Sequence, residues 1–192
     1  METRAHRHVA VAVAVGAAHL HSIPLAGVAV SALCAAITAG GWTSPDVDNQ
    51  PLAKEFDSLV PDEVLGNGGP LGHRRLAHSW LLPAAAWWAW GRNAVGVPTW
   101  ALCVPEGALY GWVSHLVMDL VFGERGYGHP KGVPLFLWWG HVGFGRPNEG
   151  PLALWTSRAA VILSLWWAIG LVLPGLPLEP YVPSWWRSLT AP

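Results

Sequence analysis

The chain has 192 residues and a formal net charge of −1. Only 12% of its residues are Asp, Glu, Lys or Arg, about half the usual share in soluble domains. Apolar residues reach 52% and tryptophans number 14, a composition that excludes a disordered chain and offers no basic surface for nucleic acid. The length fits one domain, residues 1–192. Cys34 and Cys103 both lie in apolar segments and read as buried thiols rather than a disulfide or a metal pair.

No charged side chain occurs from Val9 to Pro45, and the runs 76–91, 93–105, 107–118, 132–145 and 159–178 are also free of them. Such runs predict membrane helices of roughly 17–25 residues. The fold class expected is all-α, a multi-pass membrane bundle of about four or five helices. Trp42, Trp80, Trp100, Trp138, Trp139, Trp155, Trp185 and Trp186 lie near the ends of apolar runs, where amphipathic rings favour the interface. The N-terminus reads as a retained anchor, because no convincing small-residue cleavage site precedes a soluble domain.

Val9–Ala18 and Pro24–Ala39 predict a helical hairpin turned at His19–Pro24 and ended by Gly40-Gly41. The first arm is short for a full span. Its Val-Ala alternation is compatible with a strand, but an open strand in lipid leaves its backbone unsatisfied, so helix is expected. Long polar loops follow at about 42–75 and 123–157. Between them an apolar helix runs to Trp90, Gly91–Pro98 makes a tight turn, and a central helix covers about Thr99 to Phe122. A last span covers Ala159–Leu173.

Cytoplasmic loops carry the excess of Lys and Arg. With the N-terminus inside and the hairpin returning the chain inside, Arg4, Arg7, Lys54, Arg74, Arg75, Arg125, Lys131, Arg146 and Arg158 lie inside, and only Arg92 and Arg187 outside. The same topology places His8, the Asp46/Asp48 loop, His73, His78, His129 and the end of the central helix on the cytoplasmic side, with His19 and His21 opposite. A cell (inner or plasma) membrane location is therefore expected.

His115 and Asp119 are one helical turn apart, so both leave the same face of the central helix. That spacing suits a shared metal ion, a carboxylate orienting an imidazole, or a plain hydrogen-bonded pair in a helix interface. Pro45-Asp46-Val47-Asp48 sets two carboxylates on one side of an extended segment, as oxygen ligands or as a solvated acidic turn. His73 and His78 diverge by about 140° on one regular helix. His73 is therefore expected in the loop and His78 in the first helical turn, with Arg74 or Arg75 left for an anionic group such as phosphate. Ser79 is as good a helix cap as a catalytic hydroxyl. Glu106 lies nine residues before His115, about 180° round and roughly 13 Å along the axis, so it lines a cavity or sits near the outer interface rather than joining the same metal. Mixed imidazole and carboxylate ligands suit Zn²⁺, with Mn²⁺ second, in one to about three ions.

In order along the chain stand an N-terminal His, Pro-Asp-x-Asp after a hydrophobic hairpin, His-Arg-x-x-x-His-Ser, and Gly-x-x-x-His-x-x-x-Asp followed by Gly and Pro. Over residues 6–140 this pattern resembles the YdjM-like family of membrane-bound, metal-dependent hydrolases. The resemblance implies His8, Asp46, Asp48, His73, His78, His115 and Asp119 as the polar cluster, with His129 a weaker addition. His6 and His8 compete for the first position, and His8 is chosen because Ala12 and Gly16 continue a small-residue spacing. Ser44 and Arg75 depart from the family pattern. More distantly, the set is similar to the zinc-dependent phospholipase C and P1-nuclease pattern, which implies phosphoester chemistry.

The expected function is a metal-dependent hydrolase acting through metal-activated water on a phospholipid-like phosphoester at the bilayer surface. Asp48, His78 and Arg74 are assigned to the chemical step: Arg74 holds the anionic head group and a spare carboxylate takes a proton. The alternative is a non-catalytic membrane protein whose cluster holds a structural metal or handles ions or protons.

Overall fold

In this computed structural model the described residues are 3–21, 23–40, 78–93, 96–122, 133–136, 139–144 and 151–172. They form five helices and one hairpin: α1 (Thr3–Leu20), α2 (Leu25–Gly40), α3 (Leu81–Asn93), α4 (Thr99–Phe122), β1 (Val133–Phe136), β2 (Trp139–Val142) and α5 (Pro151–Val172). The helical reading of the chain holds. A small antiparallel sheet is added within what reads as a polar loop, pairing Val133 with Val142, Pro134 with His141 and Phe136 with Trp139.

The turn between α1 and α2 is tight: the backbone N–H groups of His21 and Ile23 donate to the carbonyls of Ala17 and Ala18. Helix α4 packs along α2 and against α1 and α3, and α5 lies on the remaining side of α1. The core is built from small side chains. Ala10, Ala14, Ala35 and Ala39 form its centre with Tyr110 against them, and Ser31, Thr38 and Ser114 are buried beside it. Many large aliphatic residues point outward, Leu33 of α2 being 62% exposed and Ile162 of α5 64% exposed, while Leu116, Met118 and Phe122 of α4 are buried.

Two glycines set the closest helix contact. A Cβ at Gly107 or Gly111 would collide with the backbone carbonyls of Ser31 and Ala35 on α2. Small residues one turn apart on both helices let their backbones meet, the packing by which helices associate in apolar surroundings. Gly111 lies one turn before His115, so this approach also delivers the end of α2 to the His115 ring.

Helix α5 is 22 residues long, about 33 Å of rise, against a hydrocarbon thickness of about 30 Å. Among the described residues it is the one helix both long and apolar enough to cross a membrane, and only 11% of its most apolar stretch is buried. A core helix of a soluble protein would be mostly buried. This helix begins earlier than the span expected at Ala159, at Pro151, where a proline suits the first helical position.

The α3–α4 turn contains Gly96 at φ 81°, with nothing near the position of its missing Cβ. The constraint there is backbone conformation alone. Gly96→Ala should lower thermal stability by about 1 kcal/mol, measured by the unfolding midpoint against wild type, with no effect on metal content.

Candidate metal centre

Three histidines from three segments meet at the carboxylate of Asp119. Asp119 lies near the end of α4, with His115 one turn earlier. His115 Nε2 is 3.4 Å from Asp119 Oδ2, His78 Nε2 is 3.2 Å from the same oxygen, and His6 Nε2 is 3.8 Å from Oδ1. The imidazoles crowd together, with ring centroids 4.3 Å apart and planes tilted by 35° for His6 and His115, and 5.3 Å apart and edge-on at 61° for His78 and His115. All are sequestered from solvent: relative exposure is 0% for His78, 1% for His115, 3% for His6 and 6% for Asp119.

The helix ends build this arrangement. The last carbonyls of a helix lack partners within it. At the end of α2, His115 Nδ1 lies 2.8 Å from the Ala39 carbonyl, and Arg7 donates its guanidinium to the Gly40 carbonyl. A cation at that end also opposes the partial negative charge of the helix terminus. Because a carbonyl only accepts, Nδ1 of His115 carries the proton. Nε2 then turns either a lone pair or, in the imidazolium, a second proton towards Asp119. A metal ion can take the place of that second proton, and a second-nitrogen hydrogen bond to a carbonyl is the usual way a ligating histidine is oriented.

His78 enters from just ahead of α3. The Leu81 N–H donates to Ser79 Oγ, so Ser79 is the helix cap. His78 therefore stands outside the helix rather than in its first turn.

The N-terminal ligand position belongs to His6, and His8 is elsewhere. The two side chains leave α1 about 160° apart. His6 continues the buried series Ala10, Ala14 and Ala18 that faces α2 and α4. His8 continues Ala12 and Gly16, which face α5: His8 Nδ1 is 2.7 Å from Ser157 Oγ, and the indole of Trp167 covers Gly16. Both small-residue series are real packing faces, so spacing alone does not choose between the histidines. His6→Ala should remove bound metal, whereas His8→Ala should keep it and cost about 0.5–1.5 kcal/mol for the lost hydrogen bond. Metal content and unfolding midpoints of the two variants separate these outcomes.

Asp46, Asp48, His73, Arg74 and His129 lie outside the described residues. His141 pairs across the hairpin with Pro134. Glu106 is remote from Asp119 and lines a different cavity, as its helical phase requires.

His6, His115 and Asp119 each offer one ligand atom, all within 4.8 Å of one another, so the cluster could hold a metal ion. The donor set fits a divalent cation: imidazole nitrogens with one carboxylate are the ligands of mixed nitrogen–oxygen sites. Burial of the carboxylate adds to the fit, since a buried negative charge is costly unless a positive one is beside it. No protein-family model, no curated protein and no solved structure matches the chain.

Proposed function

We propose that the chain is a multi-pass membrane protein whose His6, His78, His115 and Asp119 hold a zinc ion for hydrolysis of a phosphoester on a lipid-like substrate. The observation that carries the metal is the convergence of three histidine Nε2 atoms on one buried carboxylate. Three imidazoles and a carboxylate suit zinc better than magnesium or calcium, which favour oxygen ligands. The order of these residues, with Pro45-Asp46-Val47-Asp48 and His73-Arg74 between them, is the basis of the resemblance to YdjM-like hydrolases.

Residence in the bilayer is supported by the outward-facing aliphatic side chains, Leu33, Ile162 and Leu165 among them, and by the share of small and polar residues inside. An apolar surface of this extent is unusual on a soluble monomer. Two hydroxyls on α5 are satisfied within the helix, Thr156 donating to Leu152 and Ser164 to Ala160, which suits an apolar environment.

A bound zinc ion supplies Lewis-acid polarisation and lowers the pKa of water. His115 is held by the Ala39 carbonyl so that its Nε2 stays aimed at the site. Asp119 fixes the rings around it, Arg74 holds the anionic head group, and Asp48 accepts the proton released in hydrolysis.

Hydrolysis of defined phosphodiester and phosphomonoester lipids by the detergent-purified chain tests this reading. Turnover in the wild type, lost in Asp119→Ala and Arg74→Ala, is expected. Metal retained in the wild type with no turnover of either lipid class would favour the alternative, a structural or ion-handling cluster.

A further inference from the structure

The two ends of the bundle carry different chemistry. Roughly 20 Å along α1 from His6, at the α1–α2 turn, lies a cavity of about 340 Å³ lined by His21, Ile23, Trp87, Cys103, Glu106 and Tyr110 among others. Cys103, Glu106 and Tyr110 come from one face of α4, at spacings of three and four residues. Helix α2 closes against this place, because a Cβ on Gly27 would meet the side chains of Ile23 and Cys103.

Among the described residues on the cavity wall, Glu106 is the one formally charged side chain. Glu106 is half-buried on a largely apolar helix, where a cation beside the carboxylate is favourable. Among the described residues, the group of ligands close enough to chelate a metal is the one at Asp119, so the cavity lacks a chelating set. Its walls suit an organic cation instead. Trp87 and Tyr110 bring aromatic rings, which attract ammonium groups. The Glu106 carboxylate, the Tyr110 hydroxyl and a ring nitrogen of His21 bring acceptors for the N–H bonds of a primary ammonium.

We propose that this cavity is a second binding site, recognising a primary ammonium group through Glu106, Tyr110, Trp87 and His21. The ammonium comes either from an aminated lipid head group or from a free amine, and the site is independent of the metal at the other end.

The test titrates ethanolamine into the delipidated full chain in detergent, read by calorimetry. Saturable binding is expected in the wild type and in His115→Ala. Glu106→Gln should bind about tenfold more weakly, since it removes the charge while keeping the shape. Trp87→Ala should weaken binding severalfold and Trp87→Phe should largely restore it. The same titration in bilayer discs assigns the source: phosphatidylethanolamine discs that block ethanolamine, where phosphatidylglycerol discs do not, identify the lipid. Ethanolamine binding that is equal in both discs identifies a free amine. Absence of saturable binding to the wild type overturns the proposal. Equal affinity in Glu106→Gln also overturns it, and so does an unchanged affinity in Trp87→Ala. No metal or activity measurement enters, so this outcome is separate from the fate of the hydrolase reading.

Discussion

On the proposed metal reading, Asp119→Asn should abolish any stabilisation of the folded chain by added zinc. Asparagine keeps the volume of the side chain and removes the charge on which His6, His78 and His115 converge. A ligand present at a thousandfold excess over its Kd stabilises the folded state by about 4 kcal/mol. Thermal unfolding with and without zinc should therefore show a large upward shift in the wild type and a negligible one in Asp119→Asn. Because all three imidazoles contact this one carboxylate, the effect should be at least as large as that of replacing any single histidine. An undiminished zinc shift in the variant would remove Asp119 from the site.

The next largest effect is expected at Gly111. Replacing glycine inside an ordinary helix normally stabilises it, by roughly 0.5–1 kcal/mol for alanine. Here the sign should reverse. A Cβ at Gly111 would run into the Ala35 carbonyl and lie 2.9 Å from Thr38 Cβ, and backbone cannot step aside as a flexible side chain can. Gly111→Leu should cost more than the roughly 1–3 kcal/mol typical of overpacking. It should also weaken metal binding although the residue touches no ligand, because separating α2 from α4 withdraws the Ala39 carbonyl from His115. Unfolding midpoints and zinc affinity, measured on Gly111→Ala and Gly111→Leu together, check both parts. A stabilised Gly111→Ala would contradict the close approach.

Much of this arrangement is legible before any coordinates. The central helix follows from its apolar run, and His115 and Asp119 from one-turn spacing. The sequence places His78 at a helix start but within the first turn rather than ahead of it, and leaves Ser79 open between cap and catalytic hydroxyl until the Leu81 N–H is seen to bond it. The exclusion of Glu106 follows from helical phase. What the sequence hides has physical causes. On α1 nearly every residue after His8 is small or β-branched, so the faces through His6 and His8 look equivalent until α2, α4 and α5 take their places. The start of α5 is masked by Thr156, Ser157 and Arg158, which read as loop. Within the helix Thr156 donates back to Leu152, Ser157 meets His8, and Arg158 lies over the Trp155 ring at 5.4 Å. Each polar group is thus provided for without leaving the helix. The hairpin is masked by Pro134 and Gly140, residues that weaken strand signals, yet Pro134 is buried there opposite His141.

The most direct test is elemental analysis of the purified full chain after equilibration with zinc and removal of excess. Wild type and His8→Ala should retain zinc at one equivalent or more, while His115→Ala and Asp119→Ala fall to background. Equal metal content in all four proteins would contradict a metal centre at these residues.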